Sequence, residues 1–164
     1  MDNALNIKEA AFNKIIQWID EAGGKVDILT RNKNANIEIQ FGAKCYPVGD
    51  ASMFHLIIFS NKLRDCFTIG ANMYFKEEDA KSIEWLTKKD QDQIFIDIRK
   101  ITYPLHIDLT TKFPATSFYK LIFIDSLKEK QYFFNCVSNL LNATQLVSAR
   151  FDEVRNSFYP KGTI

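Results

Sequence analysis

The sequence lacks long apolar runs, an excess of either charge, and the residue clusters that build metal, disulfide or phosphate sites. No stretch of its 164 residues exceeds about five consecutive apolar residues, against the roughly 20 that a membrane-spanning helix needs. No membrane partner is expected. Lys and Arg total 21 against 20 Asp and Glu, whereas a dedicated nucleic-acid binder carries a basic excess or stripe. Nucleic acid is therefore not an expected partner either. The three cysteines, Cys45, Cys66 and Cys136, are odd in number, far apart and in no metal-ligand spacing. They read as reduced thiols of a cytoplasmic protein. Phosphate loop, nucleophile elbow, HExxH and dinucleotide fingerprint are all missing, so neither a cofactor nor an enzymatic activity is expected. The opening "MDNALNIKEAAFNKIIQWIDEAGG" is acidic and amphipathic and does not read as a signal peptide.

What is present is aromatic and periodic. Fourteen phenylalanines have no polar atom to satisfy, which marks most of them as core. Ile7, Ala11, Ile15, Ile16 and Ile19 recur at helical spacing, with Phe12 and Trp18 on the flanks. Asn6 and Glu9 have capping-box spacing, and Gly23-Gly24 supplies a stop because glycine takes the left-handed cap conformation freely. Strands are expected in "KVDILT", "NIEIQFG", "MFHLIIFS" and "CFTIGANMYF", with "GAKCYPVGDAS" a loop. Residues 77–86 read as a short helix with acid in its first turn.

The stretch "KKDQDQIFIDIRKITYPLHIDLTT", residues 88–111, has two readings. Ile94, Ile96 and Ile98 alternate as in a strand, but a single strand would have to swap its buried face near Lys100. A helix needs no slip: Thr87 and Asp90 resemble a capping box, and Ile94, Ile98, Ile101 and Leu105 follow helical spacing. The spacing predicts a helix over 88–101 and, after Pro104, a strand over 104–111. "FYKLIFID" is a further strand. Ser126 and Glu129 then cap a long helix, 127–158, whose stripe is Phe133, Val137, Leu140, Thr144, Val147, Phe151, Val154 and Phe158.

The resulting order, α-β-β-β-β-α-α-β-β-α, describes an α+β domain with a mostly antiparallel sheet and helices chiefly on one face. No repeat or linker interrupts it, so a single domain over 1–164 is expected. The chain resembles small archaeal proteins of the type III secretion chaperone-like fold. The segment "GANMYFKEEDAKSIEWLTKKDQDQIFIDIRKITYPLHIDL", with its "FIDIR" at 95–99, has their strand–helix–helix form. "FIDSLKEKQYFFNCVSNLLNATQLV" is similar to their closing strand, turn and last helix. The resemblance covers roughly residues 50–158. It brings no catalytic residues; it implies a homodimer that binds extended segments of other proteins.

Two candidate sites emerge from the residues. "MFHLIIFS" and "FYKLIFID" are apolar on both faces, whereas a sheet covered on one side buries only alternate residues. Ile57 and Phe59 from one strand, and Phe118, Ile122 and Ile124 from the other, then need a second cover. Phe134 and Leu141 widen the apolar stripe of the last helix in the same way. The cover is the same chain, a second subunit or a bound protein segment. The expected function is therefore a non-enzymatic protein-binding module that forms a homodimer or takes a peptide partner. The rival reading is a small metal-binding protein or enzyme using His55, His106 and Asp108, since strand parity would put His106 and Asp108 on one face.

Overall fold

The structure, a computed structural model, describes residues 2–29, 39–46, 56–61, 65–74, 86–112 and 115–158. Its elements run α1 (Asp2–Glu21), β1 (Lys25–Ile28), β2 (Ile39–Tyr46), β3 (Leu56–Asn61), β4 (Cys66–Tyr74), α2 (Lys88–Thr102), β5 (Asp108–Lys112), β6 (Ala115–Phe123) and α3 (Lys130–Phe158). The expected α+β class and element order hold over these residues. The helix expected at 77–86 lies, except for Leu86, outside them. The sheet has six strands in the order β1-β2-β3-β4-β6-β5, and β1 through β4 pair antiparallel in chain order. Among the described residues, no helix is long and apolar enough to cross a membrane.

The chain divides into two compact units, one of residues 1–71 and 119–137, the other of 72–118 and 138–164. In the first, α1 ends as its glycines predict. Gly23 has φ 80°, its N–H donates to the Asp20 carbonyl, and the Gly24 N–H donates to that of Ile19, which is a Schellman cap. The start of α1 differs from expectation: Asn6 lies inside the helix, four residues past Asp2. Its buried stripe is also rotated from the expected one. Phe12, Ile15, Trp18 and Ile19 are buried, whereas Ile7 is 52% exposed. The two large rings displace the smaller aliphatic residues from the centre because they remove the most area from water. Phe12 stacks on Phe41 of β2 and Phe67 of β4, and Trp18 meets Phe133 of α3. Lys14 reaches the Leu127 and Lys128 carbonyls at 3.4 Å each, and Lys130 pairs with Glu21 at 2.7 Å. These contacts fasten α1 to the start of α3 over one side of the sheet.

In the second unit, the stretch that alternates like a strand is a helix. Thr87 is its N-cap: the hydroxyl accepts from the Asp90 N–H at 3.2 Å and donates to the Asp90 carboxylate at 2.6 Å. Ile94, Ile98 and Thr102 are buried, and Ile96 is half exposed. Asp97 binds Arg150 of α3 at 2.9 Å, and that hydrogen bond draws the Asp97 carboxyl below its usual pKa.

Three boundaries depart from the sequence reading. β2 runs through "GAKCY", expected as loop, because Ala43 and Cys45 alternate into the core although neither is strongly apolar. The strand expected at 104–111 starts only at Asp108. Pro104 instead sits at the start of a 3-10 turn, Tyr103–Leu105, where a missing N–H costs nothing. The Ser126–Glu129 capping box does not form, since Ile124–Ser126 is a 3-10 turn and α3 begins at Lys130.

Candidate functional site: the open face of the sheet

Alternation along the strands of the first unit separates two faces. The face toward α1 and α3 carries Ala43, Cys45, Leu56, Ile58, Ser60, Phe67, Ile69 and Ile122, all buried. Lys120 of β6 lies on this side also, close enough to Cys136 of α3 for its charge to act on the thiol. The opposite face carries Lys44, Ile57, Phe59, Thr68, Tyr119, Leu121 and Phe123. All of them are half-buried except Phe123, which is 58% exposed.

The register places these residues in rows. Ile57 lies opposite Lys44 on one side and Gly70 on the other, and Phe59 lies opposite Gly42 and Thr68. The Ile124 N–H donates to the Asp65 carbonyl at 3.1 Å, and the Ser117 hydroxyl donates to Asn72 Oδ1 at 2.7 Å. Both bonds fit one antiparallel register of β4 and β6, with Tyr119 opposite Gly70 and Leu121 opposite Thr68. One row therefore reads Lys44, Ile57, Gly70, Tyr119, and the next Gly42, Phe59, Thr68, Leu121. β3 and β6 carry large apolar side chains. β4 between them, and β2 outside β3, carry glycine or a small or slender side chain.

Of the residues singled out from the sequence, Ile57 and Phe59 are on this face. Phe118 and Ile122 are not: both are fully buried, and the parity of β6 puts them on the other side from Tyr119, Leu121 and Phe123. A strand apolar on both faces gives no parity of its own, so that assignment needed the hydrogen bond between Ser117 and Asn72. Ile124 has left the strand for the 3-10 turn. Phe134 is half-buried on α3 with its ring edge-on to Phe133 and Lys130 over it, and Leu141 is half-buried two turns further on.

The strand parity expected to join His106 to Asp108 does not hold. His55 lies outside the described residues. His106 is not in a strand: it closes the 3-10 turn in the left-handed conformation, φ 53°, which voids the parity that would have joined it to Asp108. Asp108 is exposed at the start of β5. Among the described residues, no group of three His, Cys, Asp or Glu side chains could hold a metal ion. All three cysteines are buried and outside any disulfide. Burial, with help from the Asp27 carboxylate, pushes the Cys45 thiol up to about 12, and burial raises Cys136 as well. Neither is an activated nucleophile. A shallow groove between α1 and β1 is lined by Asn13, Ile16, Gln17, Asp20, Lys25 and Val26 among others.

The fold has a solved relative in structure. A crystal structure of an uncharacterized protein from Methanothermobacter thermautotrophicus superposes with a TM-score of 0.69 at 16% identity, over 87% of this chain and 97% of that one. At this identity the likeness shows a shared fold and nothing of activity. No curated protein matches the sequence. The profile of an uncharacterized conserved protein family, DUF2299, matches residues 11–151, and the chain belongs to that family.

Proposed function

We propose that this chain is a non-enzymatic protein-binding module whose recognition surface is the open face of the sheet. One observation carries the reading: Ile57, Phe59, Tyr119, Leu121 and Phe123 stand together on one side of three adjacent strands while α1 and α3 pack on the other. Contiguous apolar area of this kind marks an interaction site. The chemistry of the rest of the described chain supports binding over catalysis, because burial raises the Cys45 and Cys136 thiols. The resemblance of residues 50–158 to secretion-chaperone-like chains points the same way, toward a chaperone-like protein that works as a homodimer or holds a peptide segment.

Site-specific photocrosslinking tests this. A benzophenone side chain placed at Phe59 or Leu121 should join the chain to protein upon irradiation in cells. The same group at exposed Glu129, beside the 3-10 turn, should not. Equal yields at all three positions, or none at Phe59 and Leu121, would remove the open face as a recognition surface.

A further inference from the structure

We propose that the groove between α1 and β1 is a binding site separate from the open face, and that it takes a free aliphatic α-amino acid. Its residues lie outside the stretch 50–158 that resembles the secretion-chaperone-like chains.

Charge placement carries the proposal. The Gly23-Gly24 turn reverses the chain, so Asp20 in the last turn of α1 and Lys25 at the start of β1 line the same groove. An anion in the last turn of a helix faces the negative end of the helix dipole. Glu21 beside it is compensated, because Lys130 pairs with it at 2.7 Å and Gln17 Nε2 donates to it at 2.8 Å. The Asp20 carboxylate has no such partner among the described residues, and neither has the Lys25 ammonium. A zwitterion supplies both: its ammonium offsets Asp20 and its carboxylate meets Lys25.

The main chain and the floor of the groove narrow the class. β1 is an edge strand. The Leu29 N–H donates to the Gly42 carbonyl at 2.9 Å, so the alternation of an antiparallel pair turns the main-chain groups of Lys25, Asp27 and Leu29 toward β2. Those of Val26 then point outward, which gives the ligand carboxylate a neutral N–H donor next to Lys25. The Val26 side chain lies opposite Cys45, on the helix side, where it and Ile16 are half-buried. These two make an apolar floor of the right extent for one aliphatic side chain. The Gln17 amide, its NH2 held by Glu21, keeps its carbonyl oxygen for the ligand ammonium. The groove encloses about 690 Å³, which accommodates such a ligand.

Amide NMR spectra of the full chain, titrated with L-leucine, test the proposal. The signals of Gly24, Lys25 and Val26 should shift and saturate with a dissociation constant of about 1 mM, since exposed charge contacts are individually weak. L-leucinamide lacks the carboxylate and 4-methylpentanoate lacks the ammonium; each should bind about fivefold more weakly or worse. Asp20→Asn and Lys25→Met should weaken leucine by a similar factor. Asp27→Asn removes an exposed carboxylate from the other face of β1 and should leave binding unchanged. The same spectra report whether each variant is folded. Shifts that do not saturate by about 50 mM, or that fall away from the groove, overturn the proposal. Equal binding of leucinamide or methylpentanoate overturns it as well, because one of the two charges would then be unread. None of these outcomes bears on the open face, which the crosslinks at Phe59 and Leu121 test separately.

Discussion

The two faces of the sheet are built from the same strands and often from the same residue types, yet their burial differs. On β3, Ile58 is fully buried beneath the helices and Ile57, its neighbour, is half-buried on the open side. On β6, Ile122 is fully buried and Phe123, next to it, is 58% exposed. Apolar content therefore does not distinguish the covered face from the open one. The distinction comes from what packs above, and on the covered side that cover is Phe12, Trp18 and Phe133 from two helices.

The sharpest way to break this contrast is to truncate a large ring on the covered side. Phe67 is fully buried against Phe12. Phe67→Ala should cost about 3–5 kcal/mol in chemical denaturation, the lost transfer energy plus the cavity that remains. A cost under about 1 kcal/mol would mean that α1 does not hold the sheet through this ring.

Alkaline pH acts on the same face through Cys45. Its folded pKa of about 12 lies above the ordinary value of 9.0. Between those values the folded chain keeps a proton that the unfolded chain has lost. Stability is thus fully present below pH 9 and falls as pH rises toward 12, by roughly 1.4 kcal/mol per pH unit. Cys45→Ala should flatten that decline in stability measured from pH 8 to 11, whereas an equal decline in both proteins would assign it to other groups.

Ser60 offers a smaller effect of opposite sign. Its hydroxyl is fully buried on the covered face and has no hydrogen-bond partner. Such a group loses its water without compensation. Ser60→Ala should therefore raise stability, by about 1 kcal/mol in urea denaturation. Destabilisation of that size would show that the hydroxyl is satisfied in solution.

How much of this was legible in the sequence depends on how each element announces itself. The helix at Lys88–Thr102 was readable against its own alternating isoleucines, because Thr87 and Asp90 mark its start and Ile94 and Ile98 keep one face. The cap of α1 was readable from two glycines. β2 was not, since Ala43 and Cys45 are too small to signal a buried row and Gly42 reads as a turn residue. The candidate site was half legible. Ile57 and Phe59 could be assigned to it, but in "FYKLIF" both parities are apolar and only pairing with β4 tells which one faces the helices. The turn at Tyr103–Leu105 was hidden because Pro104 signals the end of a helix without specifying the backbone conformation beyond it.

The smallest expected effect lies on the open face, and its size should change with concentration. Leu121 is half-buried on β6, on the face opposite fully buried Ile122. In dilute solution Leu121→Ala removes only part of a buried side chain and leaves no enclosed cavity, so the cost should stay below about 1 kcal/mol. On the homodimer reading proposed above, a second copy would cover the same side chain when the chain is concentrated, and the dimer would stabilise the folded state by mass action. The midpoint of thermal unfolding should then rise with concentration in the parent chain and rise less in Leu121→Ala. Phe67→Ala should shift both midpoints down while keeping the concentration dependence, because its loss falls within one chain. If Leu121→Ala costs as much as Phe67→Ala at every concentration, the two faces are equivalent in energy, and the open one is closed by the chain itself.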